Sequence, residues 1–178
     1  MQVLFFKFYL SKTFYYIFII SRTISGLGSD EIKTLSLIYE LVSHLIHLGD
    51  SFLSQFCDAV AILGADELLI NFLSCDSDDT SIIQLTNSVL SLLSCAIREL
   101  PENAELIEKI IFDKRINLIL LMKHNDSLQR TRICMLLRLL GRFSCYALQN
   151  NWTNEIRDTL EALVYDSNED VRIVREFL

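Results

Sequence analysis

The chain has 178 residues, 51% of them hydrophobic, and carries a net charge of −7. Only five glycines and one proline are available for turns, which excludes a sheet-rich fold, and the acidic balance excludes a general nucleic-acid binder, which needs a basic surface to displace counterions. Length and composition suit a helical domain with a real core, or part of a longer helical array.

The first segment differs from the rest. "MQVLFFKFYLSKTFYYIFII" holds eight of the eighteen aromatic residues. Lys7 and Lys12 interrupt it, and its longest uncharged run, Thr13 to Ile20, is far shorter than the roughly 20 residues of a membrane span. Residues 1–24 therefore have three readings: a non-native leader, a membrane or secretory segment, or a docking helix. "SGLGSD", 25 to 30, is the clearest breaker, and a helical-repeat array is expected over residues 29–178.

From Asp30 the pattern is helical almost throughout. Asp30 is expected to cap a helix whose apolar positions are Leu35, Ile38, Leu41, Val42, Leu45 and Leu48, with Gly49 as its end. Further helices are predicted over Phe52 to Leu63, Asp66 to Leu73 and Ser81 to Leu100. Pro101 opens another, where its missing N–H costs nothing. "DKRINLILLMK" supplies the next, followed by helices from Gln129 to Ser144, Thr153 to Tyr165 and Glu169 onward. On the Gln129 helix, Ile133, Leu136, Leu137 and Leu140 share one face and are expected to be core, with Arg130, Arg138 and Arg142 largely off it.

Three stretches share a shape: "CDSDDTSIIQLTNSVLSLL", "HNDSLQRTRICMLLRLL" and "YDSNEDVRIVREFL". Each is an acidic, serine-containing turn followed by an amphipathic helix. Matching Asp126 to Asp166 gives a shift of 40, and Asp78 to Asp126 a shift of 48. These lie near the ~40–47-residue period of armadillo and HEAT arrays. The expected fold is all-α, an armadillo/HEAT-like α-solenoid. Its final apolar residues, Val171, Val174, Phe177 and Leu178, read as the start of a stripe that a following unit would cover, so the chain reads as an incomplete array.

Catalytic and metal chemistry finds no footing. No Gly-rich phosphate loop, GxSxG or HExxH occurs. His44 and His47 lack a third ligand, and "DSDDT" from Asp76 fails as a calcium loop because Ser81 and Asn87 stand where Gly and Glu are needed. The five cysteines, Cys57, Cys75, Cys95, Cys134 and Cys145, include no CxxC pair and read as buried thiols of a reducing compartment. No catalytic residue, metal or cofactor is expected. Charge is the one uneven feature. From Lys109 to Arg142 there are eight basic residues and two acidic ones. Lys114, Arg115, Lys123, Arg130, Arg138 and Arg142 are the candidate partner-binding surface, with a solvated face as the plainer alternative.

The stretch from Arg98 to Arg172 resembles the non-catalytic C-terminal tail of Fused-type serine/threonine kinases. The residues that carry the likeness are "RELPENAELIEKIIFDKRINLILLMKH", "RTRICMLLRLLGRFSCYALQNNW" and "IRDTLEALVYDSNEDVR". Unc-51-like kinase relatives with helical-repeat tails are the second resemblance. Such a likeness implies a cytoplasmic protein-interaction scaffold in Hedgehog signalling, bound to a kinesin-like scaffold and a suppressor protein, or a role in cilium or microtubule-linked assembly. It implies no enzyme activity for this chain, since HRD and DFG are missing, although the resembled full-length family is a kinase. A membrane-anchored helical protein stays open if residues 1–24 are a native segment.

Overall fold

A computed structural model describes residues 27–46, 65–75, 77–144 and 151–175. They form eight α-helices: α1 (Ser29–Ile46), α2 (Ala65–Leu73), α3 (Thr80–Glu99), α4 (Ala104–Ile111), α5 (Leu118–Lys123), α6 (Ser127–Phe143), α7 (Asn154–Ala162) and α8 (Glu169–Arg175). Short 3-10 turns at Pro101–Asn103 and Leu163–Tyr165 complete the set. No strand occurs among the described residues, and the fold is all-α. The helix expected over Phe52 to Leu63, and Gly49, lie outside them.

Six of the eight starts have a side-chain cause. Asp79 caps α3 by accepting from the Ser81 N–H at 2.7 Å, Asn117 caps α5, and Asp126 caps α6 by accepting from the Gln129 N–H at 2.7 Å. Thr153 caps α7, and Asn168 accepts from Asp170 and Val171 at the start of α8. The first helix departs from expectation. Its cap is Gly28, whose N–H donates to the Glu31 carboxylate at 2.8 Å, so Asp30 sits inside the first turn. A Glu in that position reaches back to the cap, which is half of a capping box.

The helices pack as two layers. In one, α1 lies against α3, α3 against α6, and α6 against α8. In the other, α2 meets α4 and α5 meets α7; α2 and α5 also close onto α3 and α6. This order is consistent with a helical repeat array. The first layer runs parallel. Ser29 Oγ meets Ser81 Oγ at 3.0 Å and Ser36 Oγ meets Ser88 Oγ at 2.9 Å, both 52 residues apart, so α1 and α3 keep one register for two turns. Ser88 also donates to the Gln84 carbonyl, so Ser36 is the donor in the shared bond. Small hydroxyls at this seam let the two backbones approach closely.

The core lies between the layers. Ile133, Leu136, Leu137 and Leu140 are each 0% exposed, as the spacing of α6 requires. On α1 the stripe is Ile32, Leu35, Tyr39 and Val42, with Tyr39 edge-on to Phe72 of α2 at 6.0 Å. Leu41 departs from expectation: it is 57% exposed, beside Leu37 at 67%, because Tyr39 takes the core position one would assign to it. Val171 and Val174 are buried, and α8 packs on α6, so that part of the final stripe is already covered. Phe177 and Leu178 lie outside the described residues. The α3 helix is long and apolar enough to cross a membrane, but its apolar window is 72% buried within the fold, as befits a core helix. Cys95 and Cys134 are buried and Cys75 half-buried; Cys57 and Cys145 are outside the described residues.

Candidate interaction surface

The six basic residues singled out from the sequence fall into different roles. Arg130 is part of the interior. Its Nε and Nη2 donate to the two carboxylate oxygens of Asp166, both at 2.8 Å, and its Nη1 donates to the carbonyls of His124 and Asn125 at 2.7 and 3.0 Å. The two side chains are only 11% and 7% exposed. This guanidinium therefore bolts the turn before α6 to the turn before α8 and is not offered to a partner, which corrects its assignment to the binding surface. The physical reason is geometric: a fork of donors at the fourth residue after the cap folds back over the helix start and reaches the next turn. The Arg130 guanidinium holds the Asp166 carboxyl below its ordinary range, and burial opposes this only partly.

The same device recurs at Arg172, whose Nη1 donates to the Asp166 and Ser167 carbonyls at 2.6 and 3.1 Å. Arg130 and Arg172 are thus equivalent, as are the caps Asp126 and Asn168, and the repeat shift is 42 rather than the 40 read from the sequence. The earlier shift, from the cap Asp79 to the cap Asp126, is 47. Between α3 and α6 the turn is tied by Asn87 Nδ2, which donates to Asp126 Oδ1 at 3.2 Å.

Arg115 is also engaged. It chelates Asp113 through Nε and Nη2 at 2.8 and 3.0 Å and reaches both oxygens of Glu67 on α2. The hydrogen bonds from Arg115 lower Glu67 and bring Asp113 down to about 2. This clamp is more open than the first, with Arg115 38% exposed. Lys114 and Lys123 are exposed, Arg138 is half-buried, and Arg142 is exposed with its guanidinium 5.2 Å from the Phe143 ring centroid, a cation–π distance. The six do not converge on one patch.

A different set does converge, on the outer side of the parallel layer. Arg132 of α6 is half-buried, and it feels the charges of Glu40 of α1 and of Cys95 of α3. Burial pushes the Arg132 guanidinium down from its usual range, with Glu40 and Asp126 opposing the shift. Next to it, Arg98 Nη2 lies 3.3 Å from Cys95 Sγ, and burial pushes that thiol up. Arg132 was absent from the sequence-based surface. Its signal was the helical wheel, which puts Arg132 with Leu128, Met135 and Leu139 on the flank of the α6 stripe.

On the other side, Glu108 of α4 accepts from Ser144 Oγ at 2.7 Å and from Asn151 Nδ2 at 3.3 Å, tying the end of α6 to α4. An open cleft of about 730 Å³ beside it is walled by Glu102, Glu105, Glu108, Lys109 and Phe143. Among the described residues no three His, Cys, Asp or Glu side chains are grouped to hold a metal ion. His44 lies in the last turn of α1, and His47 is outside the described residues.

No protein-family model matches the chain, and no solved structure does. Among curated proteins, serine/threonine-protein kinase fused of Drosophila melanogaster is 47% identical over 146 residues, 80% of this chain. The match spans 18% of the length of that kinase. The resemblance carried by the three stretches between Arg98 and Arg172 is thereby borne out: the chain is Fused-related, homologous to a segment of that serine/threonine kinase.

Proposed function

We propose that the chain is a protein-interaction scaffold, the regulatory helical-repeat portion of a Fused-type serine/threonine kinase. It works without kinase chemistry of its own, in cytoplasmic Hedgehog signalling, with a kinesin-like scaffold and a suppressor protein as partners. The observation that carries this reading is the 47% identity to the Drosophila kinase, which favours Fused over Unc-51-like relatives. The fold supports it: α1, α3, α6 and α8 pack in succession and so present one extended face, and extended surfaces are what helical arrays use to bind partners. The test is direct binding of the purified full chain to each purified partner by calorimetry. Saturable binding to at least one is expected. No binding to either, in a chain with a cooperative melt, would overturn the reading.

A further inference from the structure

The outer face of α1, α3 and α6 has the shape and chemistry of a shallow trough. Its floor is α3, where Thr80, Gln84 and Arg98 are exposed and Ser91 half-buried, so the floor carries only short or polar side chains apart from the arginine at one end. One bank is α1, with Leu37 and Leu41 bare to solvent and Glu40 closest to the floor. The other is α6, with Leu128 47% exposed and Arg132, Met135 and Leu139 half-buried. The α1 and α3 helices run parallel, and Asp126 at the start of α6 is tied to Asn87 of α3, so these features lie side by side along the trough.

Two independent observations point to a ligand. Arg132 is half-buried and makes no hydrogen bond or close ion pair to a described residue, Glu40 and Asp126 acting on it only from beyond ion-pair distance. A half-buried guanidinium with unfilled donors is costly, and an incoming carboxylate would fill its fork bidentately. On α3, Ser94 Oγ and Asn87 Oδ1 are buried without a partner among the described residues. The second observation is Leu37 and Leu41, two large apolar side chains one turn apart, exposed on the opposite bank. Charge sets the polarity of what fits. Arg132, Arg138 and Arg142 make the α6 side cationic, whereas Arg98 of α3 is already paired with Glu99 at 3.7 Å and the α1 bank holds Glu40.

We propose that this trough docks an acidic, leucine-containing segment of a partner protein, its carboxylate on Arg132 and its apolar side chains on Leu37 and Leu41. The proposal rests on the reading of the chain as an interaction module and names the face and the partner chemistry.

The test uses the full chain and fluorescein-labelled peptides in anisotropy titrations: about four repeats of Asp-Glu-Leu, the same length of Lys-Lys-Leu, and the same length of Asp-Glu-Ser. The Asp-Glu-Leu peptide is expected to bind at least about tenfold more tightly than either counterpart. Arg132→Glu and Leu37→Asp should each weaken it by about tenfold or more, while Lys109→Glu on α4 leaves it unchanged. Leu37 is exposed, so its variant keeps the test sound if Arg132→Glu fails to fold, and Arg132→Gln then replaces the latter. Equal binding of Asp-Glu-Ser, or equal loss on Lys109→Glu, would reduce the effect to general charge attraction and overturn the proposal, as would no binding. Peptide binding without binding to the kinesin-like scaffold or suppressor would overturn those partners and keep the trough; the converse would remove the trough and keep the scaffold.

Discussion

The parallel layer is sealed in two ways. At the α1–α3 seam, neutral hydroxyls meet in pairs, Ser29 with Ser81 and Ser36 with Ser88, over the first two turns of the helices. At the α6–α8 seam the tie sits at the turn edge and is ionic, with Arg130 holding Asp166 and two carbonyls at once. The first seam is distributed and insensitive to charge. The second concentrates its strength in one guanidinium. The difference teaches that a repeat packing can be preserved while its adhesive changes, provided the apolar face between the layers is kept.

That proviso gives the largest expected effect. Leu137 of α6 is 0% exposed in the core between the layers, and Leu137→Ala should cost about 2–5 kcal/mol in denaturant unfolding. A cost under about 1 kcal/mol would mean that the seams, rather than the shared core, hold the layers.

Next is the ionic tie. Asp166→Asn should destabilise by about 2 kcal/mol, between the near-zero value of exposed pairs and the 3–5 kcal/mol lost when a fully buried pair is broken. The sign with pH follows from the depressed Asp166 pKa. The contribution is fully present above the ordinary Asp value of about 4 and is lost as pH falls through the lower folded value. The gap between wild type and Asp166→Asn should therefore close below about pH 4. A gap that stays constant down to pH 2 would show that Asp166 acts through packing alone.

The neutral seam should respond less and without pH dependence. Ser36→Ala leaves Ser88 with its bond to Gln84 and should cost about 0.5–1.5 kcal/mol. If that cost instead varied between pH 3 and 7, the two seams would not be distinct in kind. The smallest effect belongs to Arg142, exposed over Phe143: Arg142→Ala should change stability by less than about 1 kcal/mol in a thermal melt.

How much of this was legible depended on the range of the interaction. The α6 core face followed from the 3.6-residue period, and Pro101 and Thr153 marked helix starts through chemistry within a few residues. The cap at Gly28 was harder, because Asp30 and Glu31 both suit a first turn and only the Glu31 reach to Gly28 decides between them. Leu41 was misassigned because a leucine and a tyrosine two residues apart cannot both face the core, and the pairing of Tyr39 with Phe72 is invisible in one helix alone. Arg130 was mistaken for surface for a similar reason. Its partner lies 36 residues away in the next turn, and a guanidinium off the apolar stripe looks solvated until that turn is placed. The two-residue error in the repeat shift came from matching acidic residues rather than caps. The candidate surface was legible as an excess of arginine on α6, but not as Arg132, whose standing depends on Cys95 and Glu40 from two other helices.

Partner binding must fall on one layer or the other. Amide hydrogen exchange of the full chain, measured alone and with a saturating purified partner, reads this directly. Added protection is predicted in α1, α3 and α6, with α2, α4, α5 and α7 unchanged. Protection confined to α2, α4, α5 or α7 would contradict the account and place the working face on the opposite layer.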